Sequence, residues 1–185
     1  MGILTPPSPL SAAHRPDDFD CGNATLNDWL RRQARRNEAS GASRTFVVCD
    51  TAGSVVGYYC LAAGAVARED SPGAVRRNMP EPVPVMVLGR LAVDRRWQSR
   101  QVGKGMLKDA VQRTLAVSSQ VGVRALLLHA ISPAAKAFYL KHGFPFPVRD
   151  AEAVAKFNKD QHTLTLTLPV VHPYSQNINR LLVSY

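Results

Sequence analysis

Leu88-Gly-Arg-Leu-Ala-Val-Asp-Arg-Arg-Trp-Gln-Ser-Arg-Gln-Val-Gly-Lys-Gly-Met-Leu-Lys-Asp-Ala110 opens apolar, turns polar and ends in helical periodicity. Val85–Val93 is a near-continuous apolar run, broken at Gly89 and Arg90, which predicts a strand buried on both faces at the centre of a sheet. A helix is expected from about Gly103 to Ser118. Where such a strand gives way to a helix, the first backbone N–H groups lack partners and converge at the positive end of the helix dipole. A pyrophosphate fits there. Strand, glycine turn and helix are shared by several nucleotide-binding folds. Neither Gly-x-Gly-x-x-Gly nor Gly-x-x-x-x-Gly-Lys-Ser/Thr occurs in the chain, so dinucleotide and nucleoside-triphosphate binding lose support.

Downstream, Ala125–Ala130 is a second apolar strand and Pro133–His142 a short helix with proline in its first turn. It carries Ala137-Phe-Tyr-Leu-Lys-His-Gly-Phe144. Thr163–Leu168 alternates strictly, as a half-buried strand does. Upstream, Thr45–Cys49 and Val55–Gly64 read as a hairpin closed at Asp50–Ser54. Asn23 is a suitable cap for a helix from Ala24 to about Ser40, with Leu26, Trp29 and Leu30 on one side and Gly41 at its end. Residues 1–17 hold four prolines and suit an extended arm. Between Ala65 and Pro84, Pro72, Pro80, Pro82 and Pro84 exclude a long regular element and predict a loop-bearing linker. Strands and helices thus mix along one chain, without an internal repeat.

The 185 residues, 45% of them hydrophobic, are enough for one well-buried core. No long apolar stretch or basic, apolar leader is present, which predicts a cytoplasmic protein without a membrane partner. Cys21, Cys49 and Cys60 are widely spaced with no CxxC pair, so neither a metal site nor a disulfide frame is expected. Lysine and arginine number 23 against 14 acids, a formal charge of +9 that favours a polyanionic partner such as RNA or a cofactor's phosphates. Arg31, Arg32, Arg35 and Arg36 cluster on the predicted helix, with Arg44 beyond it. Two uses are open to them, a solvated face or a ridge contacting phosphates.

With both motifs in view, the chain resembles the GNAT acetyltransferases: a central strand, a Gln/Arg-x-x-Gly-x-Gly/Ala turn, a helix, a strand, then a short helix with a tyrosine before Gly-Phe. The resemblance implies an α/β fold, a mixed sheet flanked by helices, with acetyl-CoA as cosubstrate and no metal. It places Leu91, Ala92 and Val93 along the pantetheine arm, and Gln98, Ser99, Arg100, Gln101, Val102, Gly103 and Lys104 at the pyrophosphate. Ser132 and Phe138 would complete the coenzyme site, and Tyr139 would sit beside the thioester sulfur. In the register that keeps Met106–Leu107 in place, Gln101 stands where glycine is usual. The other register, Arg100 to Gly105, restores both glycines but shifts the helix start by two residues.

An amine attacking a thioester expels a thiolate, and a phenol of pKa about 10 can protonate it, so Tyr139 is a chemically apt general acid. Packing under the Gly143 turn is its plainer alternative. His129, His142, Asp94 and Glu81 each read as strand-end or surface groups, and none stands out as a general base.

The resemblance narrows over residues 10 to about 145. Leu10-Ser-Ala-Ala-His14, Leu26-Asn-Asp-Trp-Leu30, Gly41-Ala-Ser-Arg-Thr45, Gly57-Tyr-Tyr-Cys-Leu61, Arg76-Arg-Asn-Met-Pro80 and Leu88-Gly-Arg-Leu-Ala-Val-Asp94 are similar to GNAT toxins of bacterial toxin–antitoxin modules. These acetylate the α-amino group of aminoacyl-tRNA and are neutralised by a ribbon-helix-helix antitoxin. The resemblance implies a homodimer and puts Arg31, Arg35, Arg36, Arg76, Arg77 and Arg90 along the tRNA path. An RNA substrate would account for the excess of arginine. The expected organisation is one catalytic domain over 1–169, with a polar insertion at Pro145–Gln161, and a C-terminal extension over 170–185. Two alternatives are a protein or small-molecule amine as substrate, and a GNAT-like binding module impaired at Gln101.

Overall fold

The computed structural model describes residues 4–71, 73–142, 156–157 and 163–168. In chain order these form β1 (Ser8–Pro9), α1 (Ala24–Arg32), α2 (Ala34–Ser40), β2 (Arg44–Cys49), β3 (Val55–Val66), α3 (Gly73–Arg76) and β4 (Val83–Val93). Then come α4 (Val102–Ser118), β5 (Ala125–His129), α5 (Pro133–His142), β6 (Lys156–Phe157) and β7 (Thr163–Thr167), with 3-10 turns at Arg68–Asp70 and Arg95–Trp97. One compact unit comprises residues up to 62 with 88–111, and a second comprises 63–87 with those from 112 onward. β3, β4 and α4 contribute to both.

In the first unit the hydrogen-bonded order is β1-β2-β3-β4. The proline-rich arm is extended as expected, pairing Ser8 and Pro9 antiparallel to Val47 and Phe46. The predicted hairpin is present: β2 pairs antiparallel to β3. Its turn is closed by the Asp50 carboxylate, which accepts from Ala52 N and Ser54 N, both at 2.9 Å. Gly53 sits at φ 79, where a side chain would be strained. The core gathers Phe19, Trp29, Leu30, Val47, Val55 and Tyr58. Tyr58 is stacked on Trp29 at 5.7 Å and edge-on to Phe19 at 5.5 Å. α4 lies close to β3 because residue 57 is glycine: a Cβ there would be 3.0 Å from Met106.

The predicted helix over 24–40 is two helices meeting at Gln33, whose φ of −109° departs from helical geometry. Hydrogen bonding nevertheless runs through the break, Gln33 N donating to Trp29 O and Asn37 N to Gln33 O. Asn23 is the expected cap, its Oδ1 accepting from Leu26 N at 3.1 Å, and Gly41 closes the second helix in the left-handed region.

In the second unit the order is β3-β4-β5-β7-β6, with β7 antiparallel to both β5 and β6. Its core holds Val75, Val83, Val85 and Ala125, packed by Met79 and Leu127. Pro84, expected in the linker, lies inside β4, where its carbonyl accepts from Arg124 N at 3.0 Å. A proline supplies an acceptor without needing to donate. The two-face burial expected for β4 is corrected: Val83, Val85, Leu88 and Ala92 are buried, Leu91 and Val93 half-buried and Gly89 exposed. Of the polar insertion at 145–161, only Lys156–Phe157 lies among the described residues, as the edge strand β6. The extension 170–185 lies outside them.

Candidate active site

The loop between β4 and α4 has two halves of different character. Asp94 opens the first. Its backbone continues the strand by donating to Val56 O at 2.9 Å, while its carboxylate, 1% exposed, takes four donors. These are Arg96 N at 2.9 Å, Arg96 Nε at 2.8 Å, Arg96 Nη2 at 2.9 Å and Asp20 N at 3.1 Å. Burial alone would push this carboxyl up, but the bonds from Arg96 and Asp20 hold it below the usual carboxylate range. Gln98 ends this half with a side-chain amide that donates to Val93 O at 3.0 Å and Cys21 O at 3.2 Å.

The second half is open. Ser99 and Gln101 stand at φ 60 and 64, in the left-handed region. Gln101 O accepts from Gly105 N at 3.0 Å, so Gln101 immediately precedes the helix and α4 begins at Val102, one residue before the expected start. Among the described residues, no backbone carbonyl accepts a hydrogen bond of good geometry from the N–H groups of Ser99 to Lys104. No acid lies in the first turn of α4. A row of donors at the positive end of a 17-residue helix can receive an anion. The Arg100 guanidinium lies 5.2 Å from the Trp97 ring centroid and Lys104 is exposed. Leu91 and Val93, two residues apart, share one face of β4, and Ala92 is buried on the other.

In the second unit, Tyr139 is buried in α5, 7% exposed. Burial pushes the phenol up to about 12. It therefore holds its proton throughout the physiological range, as a proton donor must. Ser132 caps α5, its Oγ accepting from Ala135 N at 3.1 Å. Phe138 meets Tyr139 edge-on at 5.3 Å and His142 at 5.2 Å.

The arginines separate into tied and untied. Arg31 donates to Phe19 O at 2.6 Å and Arg35 to His14 O at 2.9 Å, fastening the N-terminal arm to the helices. Arg90 lies over the Trp29 ring at 4.3 Å. Arg36, Arg76 and Arg77 are exposed. Arg31, Arg35, Arg36 and Arg90 belong to the first unit, Arg76 and Arg77 to the second. Asp94 is occupied by Arg96, and Glu81 accepts from Arg68 N at 3.0 Å, in keeping with their reading as something other than a base. All three cysteines are free, and burial raises their thiols, that of Cys49 to about 11. Among the described residues no three His, Cys, Asp or Glu side chains are arranged to hold a metal, and no helix is long and apolar enough to cross a membrane.

Sequence reasoning missed Asp20, Gly22 and Asn27. Asp20 Oδ1 accepts from Gly22 N at 2.9 Å and Asn27 Nδ2 at 2.8 Å, and Asn27 Oδ1 accepts from Cys21 N at 3.0 Å. The only available signal was the density of short polar residues around Asn23, which capping of the helix already explained.

Residues 42–145 match the acetyltransferase (GNAT) domain. The chain is 44% identical over 164 residues to the tRNA-acetylating toxin of Mycobacterium tuberculosis (strain ATCC 25618 / H37Rv), covering 89% of this chain and 98% of that protein. Among solved structures, AtaT complexed with acetyl-methionyl-tRNAfMet is 26% identical with a TM-score of 0.75, over 89% of this chain and 95% of that one. AtaTR bound with AcCoA is 25% identical with a TM-score of 0.71, over 89% and 92%.

Proposed function

The chain belongs to the GNAT acetyltransferase family, and from that membership we propose the residues that carry its reaction. It is an acetyl-CoA-dependent N-acetyltransferase that moves the acetyl group to the α-amino group of aminoacyl-tRNA, a translation-inhibiting toxin. The pyrophosphate of acetyl-CoA is assigned to the open N–H groups of Ser99, Arg100, Gln101, Val102, Gly103 and Lys104. Gln98 serves this seat by fixing the loop. Leu91, Ala92 and Val93 take the pantetheine arm, with Ser132 and Phe138 from the α5 region. The observation that carries the reading is the donor row at the start of α4, with no acid in its first turn to repel an anion.

Nucleophilic attack by the amine on the thioester carbonyl forms a tetrahedral intermediate. Its collapse breaks the carbon–sulfur bond, and Tyr139 delivers its phenolic proton to the departing sulfur. The proton lost by the attacking nitrogen passes to solvent, from which the phenolate is reprotonated. The phenol carries that proton through the working pH range, burial having pushed it up further to about 12. An amine adjacent to an ester carbonyl has a pKa below that of an ordinary alkylamine, so the neutral form is available without a dedicated base. Arg36, Arg76 and Arg77, with Arg31, Arg35 and Arg90, are assigned to the tRNA.

The same reading makes residues 1–169 one catalytic domain and 170–185 an extension. It also gives a cytoplasmic homodimer, with a ribbon-helix-helix antitoxin as partner. The test is incubation of purified protein with acetyl-CoA and charged tRNA, followed by mass spectrometry of the nuclease-released aminoacyl-adenosine. A gain of one acetyl group on the amino acid is expected. Acetylation of a protein or polyamine amine with charged tRNA left unmodified would replace the substrate assignment.

A further inference from the structure

Between the N-terminal arm and α1, residues Asp20 to Gly22 grip the fixed half of the coenzyme loop. Asp20 N donates to the Asp94 carboxylate at 3.1 Å, and Asp20 O accepts from Arg95 N at 2.8 Å. Cys21 O accepts from Gln98 Nε2 at 3.2 Å, and the Asp20 carboxylate stands 3.5 Å from Arg95 Nη1. Gly22 completes the fit. Its φ is +88, where a side chain would be strained, and a Cβ there would be 2.8 Å from Arg95 Nε and would displace the Arg95 side chain. This segment is itself held by Asn27 of α1, through Asp20 Oδ1 and Cys21 N.

The placement has a consequence for the open half. Ser99 and Gln101 both occupy a region that L-residues avoid. A loop left to itself would relax out of it and scatter the N–H groups. Gln98, one residue before Ser99, is tied by its side-chain amide to two separate carbonyls, Val93 O and Cys21 O. Asp94 fixes the loop's other root with four bonds.

We infer that Asp94 and Gln98, buttressed by Asp20–Gly22, are positioning residues for acetyl-CoA: they hold Ser99 and Gln101 left-handed so that the loop's donors converge before the coenzyme arrives. This rests on the proposed coenzyme seat. Pre-organisation of this kind acts on binding rather than on the acetyl-transfer step, because none of these groups touches the reacting atoms.

The test is a double-mutant cycle on acetyl-CoA affinity, measured by calorimetry on the full chain, with KM and kcat alongside. Gln98→Glu replaces two donors by an acceptor facing two carbonyls. Affinity is expected to fall about tenfold, KM to rise in parallel and kcat at saturation to stay within about threefold. Gln101→Gly makes the left-handed conformation freely accessible. In that background Gln98→Glu should lose no more than about threefold, because the loop no longer needs the tie. Asp94→Asn should show the same reduced loss. Asp50→Ala, which disturbs only the β2–β3 turn, serves as the destabilised control with unchanged KM. Equal losses in the parent and in the Gln101→Gly background would make the effects additive and overturn the positioning role. A parent chain that fails to bind acetyl-CoA would overturn the coenzyme seat itself.

Discussion

In the loop Asp94–Lys104 the groups open to a ligand are backbone N–H donors, whereas in α5 the group is one phenol. The loop's side chains serve mainly to shape it: Asp94 binds Arg96 and Asp20, Gln98 binds Val93 O and Cys21 O, and Arg100 stacks on Trp97. In α5 the shape is ordinary, a Ser132-capped helix begun by a proline, and the proposed chemistry rests on the single buried side chain of Tyr139. A site made of backbone should tolerate side-chain change and be sensitive to conformation. A site made of one side chain should behave in the opposite way.

The sharpest way to break this contrast is Tyr139→Phe. Removing one proton donor from a packed ring should lower kcat at least about 100-fold while leaving acetyl-CoA affinity and melting temperature close to those of the parent. Turnover within twofold of the parent would reduce Tyr139 to a packing residue and leave the reaction to the loop.

Salt should separate both regions from the tRNA surface. If Arg36, Arg76 and Arg77 each neutralise one phosphate, the log–log slope of tRNA binding is roughly −2, a loss of about 20-fold between about 50 and about 200 mM salt. Filter binding across that range, with acetyl-CoA affinity measured in parallel, checks it. A flat tRNA curve would return those arginines to solvent.

Gln101→Gly tests the loop's dependence on conformation. The left-handed region costs an L-residue roughly 1–2 kcal/mol, against about 0.5–1 kcal/mol of extra chain entropy for glycine. The balance favours the variant, with a melting temperature about 1–2 °C higher and acetyl-CoA bound about threefold more tightly. Loss of affinity would show that the Gln101 side chain itself meets the coenzyme.

The smallest expected effect is on pH. The Tyr139 phenol, pushed up to about 12, stays protonated below that value, so no alkaline loss of kcat between pH 7 and 10 is expected from it. The sign reverses for the loop. Asp94 is held below its ordinary value of 3.8, so its contribution to stability is complete above 3.8 and disappears as pH falls through the lower folded-state value. Calorimetry from pH 5 to 9 should therefore find the loop's affinity level. A midpoint inside that window would mean that another titrating group supports the seat.

Much of this organisation was legible in the residues. The hairpin closed at Asp50–Ser54, the cap at Asn23, the helix Pro133–His142 and the strand–turn–helix at 88–110 all follow from local pattern, because each depends on neighbours a few positions apart. Gln33 was not legible, since nothing in its immediate sequence marks the break between α1 and α2. β4 departs from expectation in two ways: Pro84 is admitted because its carbonyl meets Arg124 N, and the half-exposed Leu91 and Val93 follow from which face of the strand is covered.

The sequence by itself determined the family, the phenol at Tyr139 and the two motifs whose order and separation point to acetyl transfer, because such motifs are local runs of residues. Only the tertiary structure decided what Gln98, Asp94 and Gln101 do. A side-chain amide bonded to Cys21 O lies 77 positions away along the chain, and a left-handed φ at a glutamine is held by surroundings against its own preference. Neither can be read from adjacent residues, because both are set by which distant backbone the fold brings within reach.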